Sequence, residues 1–337
     1  MATMADIARQ AGVSLSTVSY VLSGRRPVSE ATRQRVLQAM EALDYHPHAV
    51  ARSLRSRRSR AIALIFPPSL AKGLIETQLE FVASAAAVAS QEGYNLLLWT
   101  APTDDAGIVR MTRQGLIDGL ILMEIKARDS RVEMLRARNY PFTMIGRCRD
   151  NTGISFVDLD MDHAMRTCLR YLVDLGHRRV AFVNYSPALF EAGYGPAVYF
   201  WESFHQMVRE WGVAGQAVLC DTTPQAGYEA ARRLLDEQPA PTAIFTTNER
   251  AIGGITQAIL EAGLKIPDDV SFVALASPRL AEVTSPALTT LDFPAAEEGR
   301  VATEMLIRRL EEDLTEPTQV LVQARLTVRQ SSGPCRA

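Results

Sequence analysis

The sequence predicts an α/β protein with a small helical head at its amino end. Residues 3–24 form the pattern of two short helices joined at Gly12. From residue 61 onward, apolar runs of five or six residues alternate with helical patterns, and this alternation occurs in two successive series. Repeated strand-helix units predict a parallel sheet with helices on both faces, so two series predict two lobes.

The first predicted helix begins after Thr3, a candidate N-cap. Asp6 follows three residues later, close to the capping-box pattern. The apolar residues share one face of this helix, namely Ile7, Ala8 and Ala11. Gly12 supplies the turn, because a positive φ costs glycine little.

The second predicted helix is capped by Ser14. Its buried side carries apolar residues at helical spacing, namely Val18, Val21 and Leu22. The outward side then carries Leu15, Ser16, Thr17, Ser19 and Tyr20. This is the pattern of a helix-turn-helix, whose second helix reads base edges in the DNA major groove. The alternative is an ordinary helix pair in a helical core.

A third helix and a basic linker complete the amino end. Ser29 caps this helix, with Glu30 in its first turn, and Val36, Met40 and Leu43 form its buried stripe. Residues 46–60 follow, with five arginines around the apolar Leu54. This segment is either a flexible basic linker or a hinge that becomes helical on DNA, with Leu54 wedged between base pairs from the minor groove.

Charge is unevenly distributed along the chain. Residues 1–60 hold ten arginines against four carboxylates, whereas the whole chain has a net charge of -2. A basic head on an acidic body indicates that only the head binds a polyanion.

The head and linker resemble the lactose-repressor (LacI/GalR) family of bacterial transcription regulators. The stretches that carry the resemblance are TMADIARQAGVS, TVSYVLSG, VSEATRQRV and P-x-x-x-A-R-S-L. LGHRRVAFV, PTAIFTTN, IPDDVS and PALTTL resemble the family in the body of the chain. The fold that the resemblance implies is a periplasmic-binding-protein-like core of two lobes behind a DNA-binding head.

The resemblance also implies discontinuous lobes. The expected head is 1–45 and the expected hinge 46–60. The first lobe is expected at 61–158 and 293–318, and the second at 159–292 and 319–330, with an effector cleft between them. The run RLTVRQS (325–331) is expected to be an edge strand of the second lobe. No leucine heptad follows it, so we expect a homodimer rather than a coiled-coil tetramer.

For DNA, the resemblance and the outward pattern assign two sets of residues. The base-reading set is Leu15, Ser16, Tyr20, Ala51 and Leu54. The phosphate-contacting set is Ser14, Thr17, Ser19, Arg25, Ser29, Thr32 and Arg52. A twofold dimer implies a near-palindromic double-stranded operator. A wedging Leu54 implies a deformable central step, CpG by family analogy.

For the effector, the sequence departs from the family pattern. Sugar- and purine-binding members place an arginine where this chain has Phe200 or Trp201, and an aspartate where it has Ala276 and Ser277. Asn248 matches a ligand-facing asparagine of the family, and Arg147 follows a predicted strand at the crevice edge. Aromatic surface is expected from Phe66 and Phe293. We therefore expect an aromatic, partly apolar or glycosidic effector rather than a simple sugar.

Other classes find little support in the sequence. There is no G-x-S-x-G, P-loop, H-E-x-x-H or G-x-G-x-x-G motif, and His163 and His177 are expected to be structural. The four cysteines form no C-x-x-C pair, so we expect reduced thiols, no metal site and no cofactor. The chain lacks a signal peptide and an apolar run of about 18 residues, so we expect it in the cytoplasm, associated with the nucleoid.

The expected function is a ligand-responsive transcription regulator, most simply a dimeric repressor that is not an enzyme. The alternative from another class is a solute-binding or sugar-modifying protein whose amino-terminal helices are incidental. A third reading is a constitutive DNA binder that has lost its effector response.

Overall fold

The chain forms two compact units, Met1–Ser59 and Arg60–Ala337. The computed structural model describes residues 2–23, 26–45, 58–65, 75–100, 105–312 and 316–336. The first unit contains the helical head, and the second contains two sheets flanked by helices. The predicted α/β class, with a helical head and two lobes, is confirmed.

Three helices form the head: α1 (Met4–Ala11), α2 (Leu15–Ser23) and α3 (Glu30–Ala42). The predicted capping box closes, because the Asp6 N–H donates to Thr3 Oγ1 over 3.3 Å and the Thr3 N–H donates to the Asp6 carboxylate over 3.0 Å. Gly12 ends α1 with φ 63°, the left-handed conformation that glycine adopts without steric cost. The centre of the head core is fully buried and consists of Ile7, Val18 and Val36.

The first lobe is built on a six-stranded parallel sheet with the order β11-β5-β4-β3-β1-β2. Its strands are β1 (Ala61–Ile65), β2 (Asn95–Trp99), β3 (Gly119–Leu122), β4 (Phe142–Ile145), β5 (Phe156–Leu159) and β11 (Gln319–Val322). The flanking helices are α4 (Glu76–Gln91), α5 (Asp105–Arg113), α6 (Ser130–Ala137) and α13 (Ala295–Glu312). Strands β1, β3, β4 and β5 are buried along their whole length, which is why β1 and β3 occur in the sequence as continuous apolar runs.

The second lobe repeats this architecture, with the strand order β12-β10-β9-β8-β6-β7. Its strands are β6 (Arg179–Asn184), β7 (Ala214–Leu219), β8 (Ala243–Thr246), β9 (Ser271–Ala276), β10 (Thr289–Asp292) and β12 (Arg325–Thr327). The helices are α7 (Met161–Asp174), α8 (Pro187–Glu191), α9 (Gly195–Trp211), α10 (Pro224–Leu235), α11 (Ile252–Glu261) and α12 (Pro278–Val283). Only β12 runs antiparallel, against β10. Aromatic packing fills the core on the α9 side of the sheet, where the Phe182 ring lies 5.5 Å from Phe245 and 5.2 Å from Phe204.

The structure corrects one predicted boundary between the lobes. The sequence placed residues 319–330 in the second lobe, but β11 pairs in parallel with β5 of the first lobe. The last crossing therefore follows β11, at residues 323–324, and β12 then joins the second sheet. The other two crossings lie between β5 and α7 and between β10 and α13. Three short connections thus join the two lobes.

His177, which was expected to be structural, is a buried polar residue of this unit. His177 is 2% exposed, and its ring nitrogens lie 2.9 Å from Thr242 Oγ1 and 3.0 Å from Ser271 Oγ. The four cysteines are free thiols. Among the described residues, no group of three or more His, Cys, Asp or Glu is placed to hold a metal ion. No described helix is long and apolar enough to cross a membrane.

Candidate functional site

Helix α2 presents its first residues to solvent. Leu15 is 53% exposed, and Ser16 is exposed beside it. Ser19 and Tyr20, one turn further, are half-buried. The guanidinium of Arg26 lies 5.3 Å from the centroid of the Tyr20 ring. The outward face predicted from the spacing is therefore present, with an apolar tip, hydroxyls and an aromatic ring along it.

Hydroxyl pairs cap the two helices that follow the turn. Ser14 Oγ lies 2.7 Å from Ser16 Oγ and 2.8 Å from Thr17 Oγ1, and it accepts the Thr17 N–H over 3.1 Å. Ser29 Oγ lies 2.8 Å from Thr32 Oγ1 and accepts the Thr32 N–H over 3.4 Å. These groups lie at helix N-termini, where backbone N–H groups and the helix dipole favour an anion. Both caps thus place exposed hydroxyls at the N-terminal ends of α2 and α3.

Five residues of the predicted sites lie outside the described part of the chain. These are Arg25, Ala51, Arg52, Leu54 and Phe66.

The carboxyl ends of the strands in both sheets face a crevice between the lobes. On one side, the loop after β3 is bound to the loop before α9. The Gly195 N–H donates to the Ile125 carbonyl over 2.9 Å, and the Ala127 N–H donates to the Gly193 carbonyl over 2.7 Å. A Cβ at position 195 would lie 3.0 Å from the Ile125 carbonyl oxygen, so glycine allows this close approach. Lys126 and Tyr194 pair between these contacts.

On the other side, side chains of helix α4 contact the second lobe. We call this set the α4 latch. Its three hydrogen bonds run from Thr77 Oγ1 to Glu249 Oε2 (2.5 Å), from Ser277 Oγ to Glu80 Oε1 (3.0 Å) and from Arg279 Nη1 to Glu76 Oε1 (3.1 Å). The crevice is therefore spanned by polar contacts on both sides.

Two of the predicted effector residues are held by hydrogen bonds at this crevice. The Arg147 guanidinium donates to Asp158 Oδ2 over 2.7 Å and to the Leu159 carbonyl over 2.9 Å. It also lines a cavity of about 320 Å³ between the lobes. The Asn248 amide is buried and donates to the carbonyls of Cys220 and Asp221 over 3.0 and 3.3 Å. Asn248 thus positions the loop after β7 at the crevice.

The remaining predicted effector residues pack mainly against protein. Phe200 is 1% exposed, and its ring lies 6.5 Å from that of Phe182 in the core of the second lobe. Ala276 is fully buried at the end of β9. The ring of Trp201 packs on Phe190 and His205 at 5.3 and 4.6 Å. The ring of Phe293 packs edge-on against Phe81 at 5.8 Å. The structure therefore places Phe200 and Ala276 in the core, and neither supplies an exposed ligand-binding surface here.

The sequence reasoning missed a set of crevice carboxyls: Glu124, Asp158, Glu249 and Glu298. Burial raises the pKa of Glu124 and of Glu249 to about 7. Burial also raises the pKa of Asp158 to about 7, although the Arg147 charge opposes this shift. The pKa of Glu298 is raised well above its usual value, first by burial and then by the charge of Asp158. Burial therefore favours the protonated form of Glu298, whereas the Arg147 charge favours the ionised form of Asp158.

Two tyrosines of the second lobe lie beside these carboxyls. The rings of Tyr185 and Tyr194 pack edge-on, with centroids 5.3 Å apart. Burial raises the pKa of both phenols, and the Glu124 carboxylate of the first lobe raises both further. Tyr185 directly follows β6, and Glu124 lies two residues after the end of β3. The residues that follow predicted strands include both Tyr185 and Glu124. Ligands bind at these strand ends in open α/β sheets, so their position was a signal for the site.

Known proteins match both units of the chain. The model of bacterial regulatory proteins of the lacI family matches residues 3–48, and that of the periplasmic binding protein-like domain matches residues 169–332. The HTH-type transcriptional repressor PurR of Klebsiella pneumoniae (strain 342) is 33% identical over 347 residues, covering 99% of this chain and 98% of that protein. The chain belongs to the LacI family.

Solved structures of transcription regulators share its fold. The Lac repressor dimer bound to operator and the anti-inducer ONPF superposes with a TM-score of 0.85 at 24% identity, over 98% of this chain and 99% of that one. The complex of the transcriptional regulator CelR with cellobiose superposes with a TM-score of 0.72 at 24% identity, over 98% of this chain and 100% of that one. The LacI-family match covers all of α1 to α3, so the outward face of α2 belongs to the matched head.

Proposed function

We propose that this LacI-family protein is a dimeric transcriptional repressor that binds a near-palindromic operator and responds to a small molecule in the crevice between its lobes. One observation carries the proposal. A single chain joins a helix-turn-helix, with an outward polar face on α2, to two lobes that meet across a crevice. Its role is regulatory rather than catalytic, and it acts in the cytoplasm at the nucleoid.

The head reads DNA through α2 in this proposal. Leu15, Ser16 and Tyr20 contact base edges, because Leu15 and Ser16 begin the helix on its outward face and Tyr20 follows one turn further along. The Tyr20 ring contacts a thymine methyl, or its hydroxyl contacts a base edge. The hydroxyls of the two caps and of α2 contact phosphates, which set the register without reading sequence. These are Ser14, Thr17, Ser19, Ser29 and Thr32.

The segment between the head and the lobes completes this DNA interface. We propose that Leu54 and Ala51 contact the minor groove at the centre of the operator and that Arg25 and Arg52 contact phosphates. A leucine that wedges between base pairs partly unstacks them, and the bend brings more protein surface to the DNA. The operator centre is then a deformable step, because the cost of kinking depends on sequence.

Effector binding changes DNA affinity by shifting the populations of two lobe arrangements. Three short connections join the lobes, while polar contacts span the crevice on both sides. A ligand that contacts both lobes shifts the balance between the two arrangements only by the difference between its affinities for them. A coupling of about 1–3 kcal/mol changes operator affinity roughly 5- to 150-fold.

The test begins with selection of operators from random duplexes by the full-length protein. We expect an enriched near-palindrome and sub-micromolar binding of it in a gel shift. A thermal-shift screen of sugars, glycosides, nucleosides, amines and aromatic acids then identifies a ligand, which should change the gel-shift affinity. Selection that enriches no common sequence would refute the proposal. An operator with no ligand response would leave a constitutive DNA binder.

A further inference from the structure

Arg60, where the basic linker meets the first lobe, has an unusual backbone conformation. Its φ is 53°, in the left-handed region that residues other than glycine rarely adopt. Two backbone hydrogen bonds hold it there. The Arg60 N–H donates to Asp118 Oδ2 over 2.9 Å, and the Arg60 carbonyl accepts the Asn95 N–H over 2.8 Å. A strained backbone persists only where its surroundings fix it, so the chain is fixed at the residue that precedes β1.

The Arg60 side chain is held by a second group of contacts. Its guanidinium carbon lies 4.9 Å from the centroid of the Tyr94 ring, and its Nη1 lies 3.0 Å from Glu311 Oε1. The Tyr94 hydroxyl donates to the same Glu311 oxygen over 2.6 Å. Tyr94 is 4% exposed, and burial together with the Glu311 carboxylate raises the pKa of its phenol to about 12, so the hydroxyl stays a donor at neutral pH. We call Arg60, Tyr94 and Glu311 the linker anchor.

The two partners of Arg60 lie at the carboxyl ends of two helices of the first lobe. Tyr94 follows α4, where its N–H donates to the Ala89 carbonyl over 2.7 Å, and Glu311 lies in the last turn of α13. The helices pack closely, because a Cβ at Gly299 of α13 would lie only 2.7 Å from the Phe81 carbonyl oxygen of α4. Such close packing transmits strain, so the two helices should move as one body.

The amino ends of the same two helices lie at the crevice. The α4 latch uses residues from the first two turns of α4, which contact Glu249 and Ser277 of the second lobe. Helix α13 begins at Ala295, directly after the connection from β10 of the second lobe. With a rise of about 1.5 Å per residue, α4 and α13 span about 24 and 27 Å. The helix pair therefore joins the crevice at one end to the linker anchor at the other.

We propose that the linker anchor couples the crevice to DNA binding: the pair of α4 and α13 carries a movement of the lobes to Arg60, which sets the backbone of the linker. This proposal rests on the repressor function proposed above and assigns Arg60, Tyr94 and Glu311 as positioning residues. An exposed ion pair alone contributes little, so the Arg60 and Glu311 charges are not sufficient. The buried Tyr94 supplies the fixed geometry, because its hydroxyl holds the Glu311 carboxylate beside the guanidinium.

The alternative is that the anchor only stabilises the first lobe. A purely stabilising contact would change the melting temperature and leave the communication between crevice and operator intact. A double-mutant cycle separates the two roles, because it measures the effect of one substitution with and without the other. Substitutions at distant, independent sites normally have additive effects, so a non-additive result between latch and anchor would show coupling.

The cycle measures operator affinity of the full-length protein in a gel shift, without any ligand, on the selected operator. The latch variant combines Thr77→Val with Ser277→Ala and so removes two hydrogen bonds across the crevice. Tyr94→Phe removes the bond to Glu311 and keeps the ring against Arg60. We expect the latch variant to change operator affinity about tenfold, the scale of two hydrogen bonds. In the presence of Tyr94→Phe, the same substitutions should change it about threefold or less.

A second anchor variant and a control complete the design. Glu311→Gln removes the charge that pairs with Arg60 and should reduce the latch effect in the same way; it replaces Tyr94→Phe if that variant does not fold, as judged by thermal unfolding. Tyr228→Phe removes a similar hydroxyl-carboxylate bond of 2.8 Å, to Glu261 in the second lobe, and should leave the latch effect unchanged.

The outcomes separate this coupling from the repressor function. Equal latch effects with and without the anchor substitutions would overturn the proposal, as would a latch variant that binds operator like the wild type. An equal reduction by the Tyr228→Phe control would overturn the assignment of coupling to the anchor. Failure of the wild-type protein to bind any operator would instead reject the repressor function.

Discussion

Glu124→Gln should stabilise the protein at alkaline pH and leave its stability unchanged in acid. Burial raises the pKa of Glu124 from 4.5 to about 7, and no described group hydrogen-bonds its carboxylate. The Glu124 carboxyl therefore holds its proton more tightly in the folded chain than in the unfolded chain. Stability from this group is fully present below pH 4.5 and is lost as pH rises through 7. A shift of this size corresponds to about 3 kcal/mol at about 1.4 kcal/mol per unit.

Glutamine is neutral at every pH, so the variant should not lose this stability. For the two-lobed unit, about 3 kcal/mol corresponds to a melting-temperature difference of roughly 6–12 °C, since each kcal/mol shifts domains of this size by about 2–4 °C. The assay is thermal unfolding of wild type and variant at intervals from pH 4 to pH 8.5. The φ of 50° at this position is equally strained for both residues, so it cancels in the comparison.

Glu261→Gln is the matched control for this measurement. Hydrogen bonds from Gln257 and Tyr228 lower the pKa of Glu261, which is exposed on α11. Its contribution to stability therefore has the opposite sign, and the substitution should bring no gain at pH 8. If the melting temperatures of wild type and Glu124→Gln run parallel across the whole pH range, Glu124 is not a destabilising buried acid, and the electrostatic account of the crevice fails.

Three further substitutions test the sites separately. Tyr20→Ala should relax selection at one base-pair position in each half-site, as read from selected operators; an unchanged selected sequence would remove Tyr20 from base reading. Leu54→Ala should weaken specific binding about tenfold or more in a gel shift while the melting temperature stays constant, since a wedge contributes only on DNA; equal affinities would reject the wedge. Asn248→Ala removes the donor to the carbonyls of Cys220 and Asp221. It should abolish the effector response measured by gel shift but preserve operator binding, and a normal response would place the ligand elsewhere.

The head was predictable because its signals are local. Thr3 and Asp6 lie three residues apart and close a capping box, and Gly12 takes the positive φ that the turn requires. The apolar spacing of α1 and α2 places Ile7 and Val18 in the core. Each of these features depends on residues within one or two helical turns, so sequence spacing alone determines them.

The lobe boundary near residue 319 was not predictable in the same way. Residues 319–327 read as one extended stretch, and the sequence pattern cannot show which sheet each part joins. In the structure, β11 extends the edge of the first sheet beside β5, and two residues later β12 joins the second sheet beside β10. Which sheet a strand joins depends on contacts with residues distant in sequence. The local pattern of apolar residues does not show these contacts.

The surroundings of side chains at the crevice were also not predictable from local sequence. Phe200 was expected at the effector site from its position in the family pattern, but its ring packs beside Phe182 in the core. Glu124 was passed over because a charged residue after a strand is usually solvated. Its burial depends on Tyr194 and the loop before α9, which are contributed by the other lobe and lie about 70 residues away in sequence. Only the assembled lobes show that this acid is partly buried.

The strength of the contacts across the crevice bears on how the protein switches. Each lobe has a fully buried core, whereas the α4 latch consists of three side-chain hydrogen bonds, one of them from the 81% exposed Arg279. Net contributions of about 0.5–1.5 kcal/mol for each such bond give the latch only a few kcal/mol. That energy is comparable to allosteric coupling energies of about 1–3 kcal/mol and far below the cost of unfolding a lobe core. The lobes should therefore move as rigid bodies about their three connections, and a ligand that binds one arrangement more tightly by about 1–3 kcal/mol is sufficient to select it.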